Sequence, residues 1–447
     1  MLKHVTLWSL LLFVCLFGFS ACDDDEDVTP ATVFGTLADN IQDDDRFTTL
    51  AAALAQTGLD QALDDVTNPR TVFAPTDEAF AAAGVDLGSL SNEQLSDILL
   101  YHVVESRVPA ASLSAGQSQV ASLSTGGADD RNLTLSINRN GSDVTINGNA
   151  NVIDADNETV NGIIHVIDQV LLPPSIASFA VADGRFTTLV SALQRTGLDA
   201  VLTDAGSYTV FAPTDDAFAA AGIDLDAVSD EDLTQILLYH VLGAVVGAGD
   251  IADGNNFVTT LSTAGPNGTA LSALVDKSDG NVSINGSADV VIADIFTTNG
   301  VIHAIDEVIT AQNIVDFATK ADGTSALADA VVAAGLVDAL SGEGPLTVFA
   351  PVNAAFEEIS ETVAGLTPDQ LVQVLTYHVL SGNVRSDDLS VTTVESLNED
   401  NDVDIRQSEE GTFFIQNGNR ETAFILTDIQ ASNGVIHLID QVLIPTF

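Results

Sequence analysis

Cysteine is nearly missing from this chain: 447 residues hold two, Cys15 and Cys22, both at the amino end. No disulfide can staple anything further along, so whatever folds there must stand on its apolar core. Positive charge is almost as scarce. Thirteen Lys and Arg face 64 Asp and Glu, a formal net charge of −51, and beyond Lys3 the lysines are Lys277 and Lys320 alone. A field of that sign repels polyphosphate and anionic lipid, which excludes nucleic acid and a bare membrane surface as partners. No Arg-Gly-Asp occurs anywhere. The apolar stretch from Val5 to Phe19 is too short to span a bilayer and has the length of a secretory signal core.

The acids are spread along the whole chain rather than gathered in a tail. A lysine-poor, aspartate-rich surface suits life in high salt, where screening relieves self-repulsion; the plainer alternative is an ordinary acidic secreted protein. The high-salt reading expects a melting temperature that rises between about 0.1 and 1 M sodium chloride, as the Debye length shrinks from about 10 to 3 Å. A flat or falling midpoint would refute it. Sulfate would not discriminate, since it strengthens apolar burial in any protein.

What the chain does have is repetition. NGIIHVID at 161–168 returns as NGVIHAID at 299–306 and NGVIHLID at 433–440. TVFAP starts at 71, 209 and 347, and a helical string ending in Tyr-His starts at 99, 237 and 375, so the intervals are 138 residues apart from one of 134. Such a period is a whole domain, too long for a solenoid unit. Each copy opens with an alanine- and leucine-rich helical stretch, which Gly58, Gly197 and Gly335 should break in two. TVFAP reads as a short strand, followed by an Asx residue (Asp77, Asp215, Asn353) placed to cap a helix. Ser91-Asn-Glu-Gln94 and Thr367-Pro-Asp-Gln370 read as capping boxes, with Ser229-Asp-Glu-Asp232 a weaker version. In the helix that follows, Leu95, Ile98, Leu99 and His102 share one face. Then the period drops to two, with Leu133, Leu135 and Ile137 alternating up to an Asn140-Gly141 turn. The last strand, apolar on both faces, should be central. Helices followed by short antiparallel strands give an α+β class.

TVFAPTDEAF, the helix ending in YHV and the closing NGIIHVIDQVLLP together resemble a fasciclin domain, present three times over nearly all of the chain. The resemblance implies a compact β-sandwich or wedge with packed helices. It also implies the family's usual work, cell adhesion and binding to extracellular matrix. In some animal members, motifs around paired Tyr-His and Asp-Ile positions are implicated in integrin binding. Tyr101-His102, Tyr239-His240 and Tyr377-His378 match the first of these, and the adhesive role is carried over here without that receptor.

Phe19-Ser20-Ala21-Cys22 resembles the lipobox of bacterial lipoproteins, with Phe19 in place of the usual leucine. The resemblance implies a signal peptide over 1–21, a lipidated Cys22 and attachment to the outer membrane. Asp23-Asp24-Asp25-Glu26-Asp27 then serves either as a solvated spacer or as a surface-export signal of the kind some Gram-negative lipoproteins carry. The division expected is an acidic linker at 22–31 and fasciclin domains at 32–173, 174–310 and 311–447.

Two histidines per domain at a fixed offset invite a metal or catalytic reading. His165 shares a strand face with Ile163 and Ile167, whereas Asp168 points to the other side, so they form no local dyad. The same holds for His303 with Asp306 and His437 with Asp440. All six are read as structural, the histidines as hydrogen-bonded core residues; a metal would need a third donor, and no cysteine is at hand. Ser112 has Asp250 and Asp388 at its counterpart positions, so no serine nucleophile recurs. A calcium loop starting at Asp400 would need glycine at Ile405 and glutamate at Gly411, so Asp400, Asp402 and Asp404 read as a solvated strand or loop. The sequence thus favours a lipid-anchored adhesin, neither enzyme nor cofactor protein, binding a cell-surface or matrix protein or polysaccharide. A structural spacer of the envelope without a specific ligand is the alternative.

Overall fold

A computed structural model describes residues 35–84, 87–398 and 400–447; the leader, Cys22 and the acidic run lie outside them. The first domain begins with α1 (Leu37–Asp43), α2 (Thr48–Thr57) and α3 (Asp60–Leu63). Gly58 ends α2 in the left-handed conformation, at φ 73°, so the glycine break falls where the sequence places it. Next come β1 (Arg70–Pro75), α4 (Asp77–Ala83), α5 (Asn92–Tyr101) and β2 (Val103–Val104). Five further strands complete the domain: β3 (Gly116–Ala121), β4 (Thr134–Asn140), β5 (Asp143–Ile146), β6 (Ala150–Thr159) and β7 (Gly162–Ile167).

The strands form one seven-stranded sheet in the order β2-β1-β7-β6-β5-β4-β3, and the same order recurs in the other two domains. Not all of it is antiparallel. β1 runs parallel to β7 over six residues, Arg70 opposite Gly162 through Pro75 opposite Ile167, so TVFAP and NGIIHVID are direct neighbours. A parallel pair needs a long crossover, and nearly the whole domain supplies it. The sheet curls until its two edges touch, with Val104 bridging to Ser122 and, in the other copies, Leu242 to Thr260 and Leu380 to Ser396. This near-closure is what makes the sheet a two-sided wedge. Its interior packs Phe73, Tyr101, Leu135, Ile137 and Ile146. The outer face of β1 and β7 packs Val72, Ile164 and Val166 against Leu50, Leu54, Leu95 and Leu99 of the helices. β7 is buried along its full length, between β1 and β6.

Both capping boxes form, at Ser91 with Gln94 and at Thr367 with Gln370. The cap of the helix after TVFAP differs from expectation. Thr76 and Thr214 accept from the N–H groups of Ala79 and Ala217, while Val352 in the third domain has no side chain to do so. The Asx residue serves another helix instead. Asp77 accepts from Thr49 N at 2.7 Å and Asp215 from Thr188 N at 2.7 Å, and Asn353 accepts from Ala326 N at 2.9 Å. It thus satisfies free amides at the start of the earlier helix, across the turn made by the strand.

Candidate functional site

The repeated string acts at several separate joints. Asn161 Oδ1 accepts from Leu37 N at 2.8 Å, while its Nδ2 donates to Leu63 O at 2.6 Å and Asp65 O at 3.1 Å. One buried amide therefore ties the first helix, the end of α3 and the loop before β1. Asn299 makes the same three bonds to Ile176, Leu202 and Asp204, and Asn433 to Ile314, Leu340 and Gly342. The glycine that follows has no room for a side chain: a Cβ on Gly162 would lie 2.2 Å from Arg70 O.

His165 holds a bulge. Asp156 N donates to its Nδ1 at 3.2 Å, so Nε2 carries the proton and donates to Val108 O at 2.9 Å. The ring stacks on Phe73 with centroids 5.5 Å apart. Asp156 has a positive φ of 60°, which the histidine and the bond from Ala110 N to Asp156 Oδ1 hold in place. His303 with Asp294 and His437 with Asp428 repeat this arrangement. Burial lowers the pKa of all three imidazoles. Asp168 stands apart, accepting from Asn151 N at 2.7 Å; Asp306 and Asp440 accept from Asp289 N and Ala423 N at the same distance.

The Tyr-His pairs are buried in all three domains. His102 accepts from Leu171 N on Nε2 at 2.9 Å and donates from Nδ1 to Ile98 O at 2.7 Å. His240 and His378 bind Ile309 N and Leu443 N in the same way. Burial pushes each of these three down to about 4. Tyr101 Oη donates to Thr134 O at 3.0 Å and accepts from Asn147 at 2.8 Å; Tyr239 and Tyr377 pair with Ser272 O and Asp402 O. Every ring nitrogen of these six histidines is engaged with backbone. Each spends its lone pair on an amide N–H, leaving none for a metal or for proton transfer while the fold is intact. Among the described residues, no group of three His, Cys, Asp or Glu is placed to hold a metal, and no helix is long and apolar enough to cross a membrane. Asp402 and Asp404 lie on the strand Asp402–Gln407, and Asp404 pairs with Arg406 at 2.7 Å.

What the sequence reading missed is on the surface. Ile153, Val291 and Ile425 are 58%, 53% and 53% exposed, and each sits at the same point of its domain. That point is the first irregularity of β6 and its counterparts Ala288–Thr297 and Arg420–Ala431, where the strand gains a residue on its partner. The extra residue turns its side chain outward. Each lies three residues before an Asp in the left-handed region, Asp156, Asp294 and Asp428, but an inserted residue shows only against its partner strand.

A fold of three curled sheets, each carrying the same asparagine staple and the same bulge, defines one domain family used three times. The model of the fasciclin domain matches residues 45–173, 184–311 and 322–445, and the chain belongs to that family. It is 31% identical to transforming growth factor-beta-induced protein ig-h3 of Sus scrofa over 329 residues, covering 69% of this chain and 46% of that one. It is 28% identical to periostin of Homo sapiens over 433 residues, covering 93% of this chain and 48% of that one. The chain thus spans about half the length of these relatives. A solved FAS1 domain pair from the insect cell adhesion molecule fasciclin I aligns at 21% identity with a TM-score of 0.39, covering 59% of this chain and 96% of that chain.

Proposed function

We propose that the protein is an adhesin that holds a cell-surface or extracellular-matrix polymer through an equivalent contact on each domain. The observation that carries this reading is the outward aliphatic residue at one bulge in all three copies: Ile153, Val291 and Ile425. A strand surface that only separates two points has no need to expose an apolar side chain at the same place three times. Single exposed contacts of this size bind weakly. Three on one chain reinforce each other when the ligand is repetitive, by about 10²–10⁴ in avidity. A polysaccharide or a crowded protein layer offers such repetition, whereas a small metabolite does not.

The test immobilises the whole chain and measures retention of surface polysaccharide and envelope or matrix proteins. Ile153→Ser, Val291→Ser and Ile425→Ser are expected each to lower retention several-fold, and the triple variant to abolish it. Equal retention by wild type and triple variant would remove this surface from the reading. No retention by the wild type would favour an envelope spacer.

We further propose that lipidated Cys22 anchors the protein in a bacterial outer membrane, with the acidic run at 23–27 lifting the first domain clear of it. The apolar run ending Ser20-Ala21-Cys22 supports this. Cys22→Ser should move the protein from the membrane fraction to the soluble fraction and abolish lipid labelling. Persistent membrane association of that variant would defeat the proposal.

A further inference from the structure

The two junctions between domains are one joint used twice. At the first, Thr134 Oγ1 accepts from Phe296 N at 3.0 Å; at the second, Ser272 Oγ, its counterpart, accepts from Gln430 N at 2.9 Å. Beside them, Gln117 Nε2 donates to Asp183 O at 2.9 Å, and the matching Asn255 accepts from Asp322 N at 2.8 Å. Each connector is also fixed to the domain it leads into, Pro174 O accepting from Thr298 N and Gln312 O from Ser432 N. The receiving groove lies between a domain's first helix and its bulged strand. At the second junction, Phe257 enters it edge-on to Phe317, with ring centroids 5.8 Å apart, and Leu274 is buried with the core of the third domain.

Among the described residues, each outer domain leaves one half of this joint uncovered, and each uncovered half is altered. In the first domain, the groove positions of Phe317 and Ile429 are held by Asn40 and Asn157, and the strand position of Phe296 by exposed Glu158. In the third domain, the donating face carries Asp402 and Asp404 where the second has Ser272 and Leu274. The correspondence is fixed by geometry as well as by spacing. The buried tyrosines donate to Thr134, Ser272 and Asp402 in turn, and Thr393 pairs with Asp404 as Phe257 pairs with Leu274.

We propose that the three domains form a single rod terminated at both ends, in which these altered faces stop a second copy of the chain from adding head to tail. The joint is heterologous, so nothing in its symmetry limits it to three domains; repeated between chains it would build an open filament. Docking copies end to end would bury Asp402 and Asp404 against the face that carries Glu158 and Asp44. Docking would strip water from Asp402 and from the ion pairs Asp404–Arg406, Glu158–Arg107 and Asp44–Arg46 together, and salt screens that cost little because it is largely desolvation. Polar outer faces on terminal units play the same part in repeat arrays.

The test restores the interior residues. One full-length variant carries Asn40→Phe, Asn157→Ile and Glu158→Phe, the residues of the second domain at those places. Another carries Thr393→Phe, Asp402→Ser and Asp404→Leu, again as in the second domain. In 1 M sodium chloride, sedimentation should show wild type and each variant alone as monomers. The equimolar mixture should double in mass, and a variant with all six changes should form chains that lengthen with concentration. A folded mixture that stays monomeric would overturn the proposal, as would wild type that already associates under these conditions. If either triple variant fails to fold, the pairs Asn157→Ile with Glu158→Phe and Asp402→Ser with Asp404→Leu, mixed together, give the same reading: mixed dimers support it and monomers overturn it.

Discussion

Gly300→Ala is expected to abolish the unfolding transition of the second domain under conditions where the first and third still melt cooperatively. A Cβ at this position would lie 2.1 Å from Tyr208 O and 2.8 Å from Ile176 Cδ1. The carbonyl belongs to the parallel partner strand, with Tyr208 directly opposite Gly300, so relief requires the two central strands to part. The cost is about 3–5 kcal/mol, a large share of what a domain of this size has to lose. Calorimetry of the whole chain, with limited proteolysis to locate the open domain, would check it. Gly249→Ala, where a Cβ meets nothing within 4 Å, is the matched control and should change the profile little.

Acid should destabilise all three domains well before most of their carboxylates titrate. His102, His240 and His378 have pKa values near 4 in the fold against an ordinary 6.5, because burial penalises the charged ring. The unfolded chain therefore binds more protons than the folded one between those values, and stability falls as pH drops from about 6.5 to 4. Full development of that shift amounts to roughly 3 kcal/mol for each histidine. Protonation would also turn the ring nitrogen that accepts from Leu171 N into a donor facing a donor. His165, His303 and His437 are shifted in the same direction and add to the slope. Urea titrations at pH 7, 6, 5 and 4 would show the loss. Imidazole resonances of His102, His240 or His378 that titrate near 6.5 in the folded protein would contradict it.

Much of this fold was legible because its local signals agree with one another. The capping boxes, the left-handed Gly58 and the doubly apolar NGIIHVID strand each have one cheap conformation, and the fold uses it. Long-range pairing was less legible. Nothing in TVFAP announces that it runs parallel to a strand about 90 residues away, since strand direction is set by the path of the intervening chain. Asp77 was assigned to the nearer helix because capping is usually local, yet the turn after β1 brings Thr48 and Thr49 within its reach. The bulge escaped notice for a similar reason: an inserted residue shows only against its partner strand. Of the site, the burial of His102 could be read from helical periodicity. The outward turn of Ile153 could not.

The asparagine staple has a consequence for the order in which the protein can take shape. Asn161, Asn299 and Asn433 reach back 124, 123 and 119 residues to the first amide of their domain's opening helix. Closing contacts that far apart costs loop entropy before it returns anything, which places this topology among slow folders. Synthesis delivers the opening helix first and its fastener almost last. Through most of the elongation of each domain, then, the helix has its packing partners but not the residue that locks it to them. The growing chain stays open for longer than its helical start would suggest, and each domain is sealed from its carboxyl end.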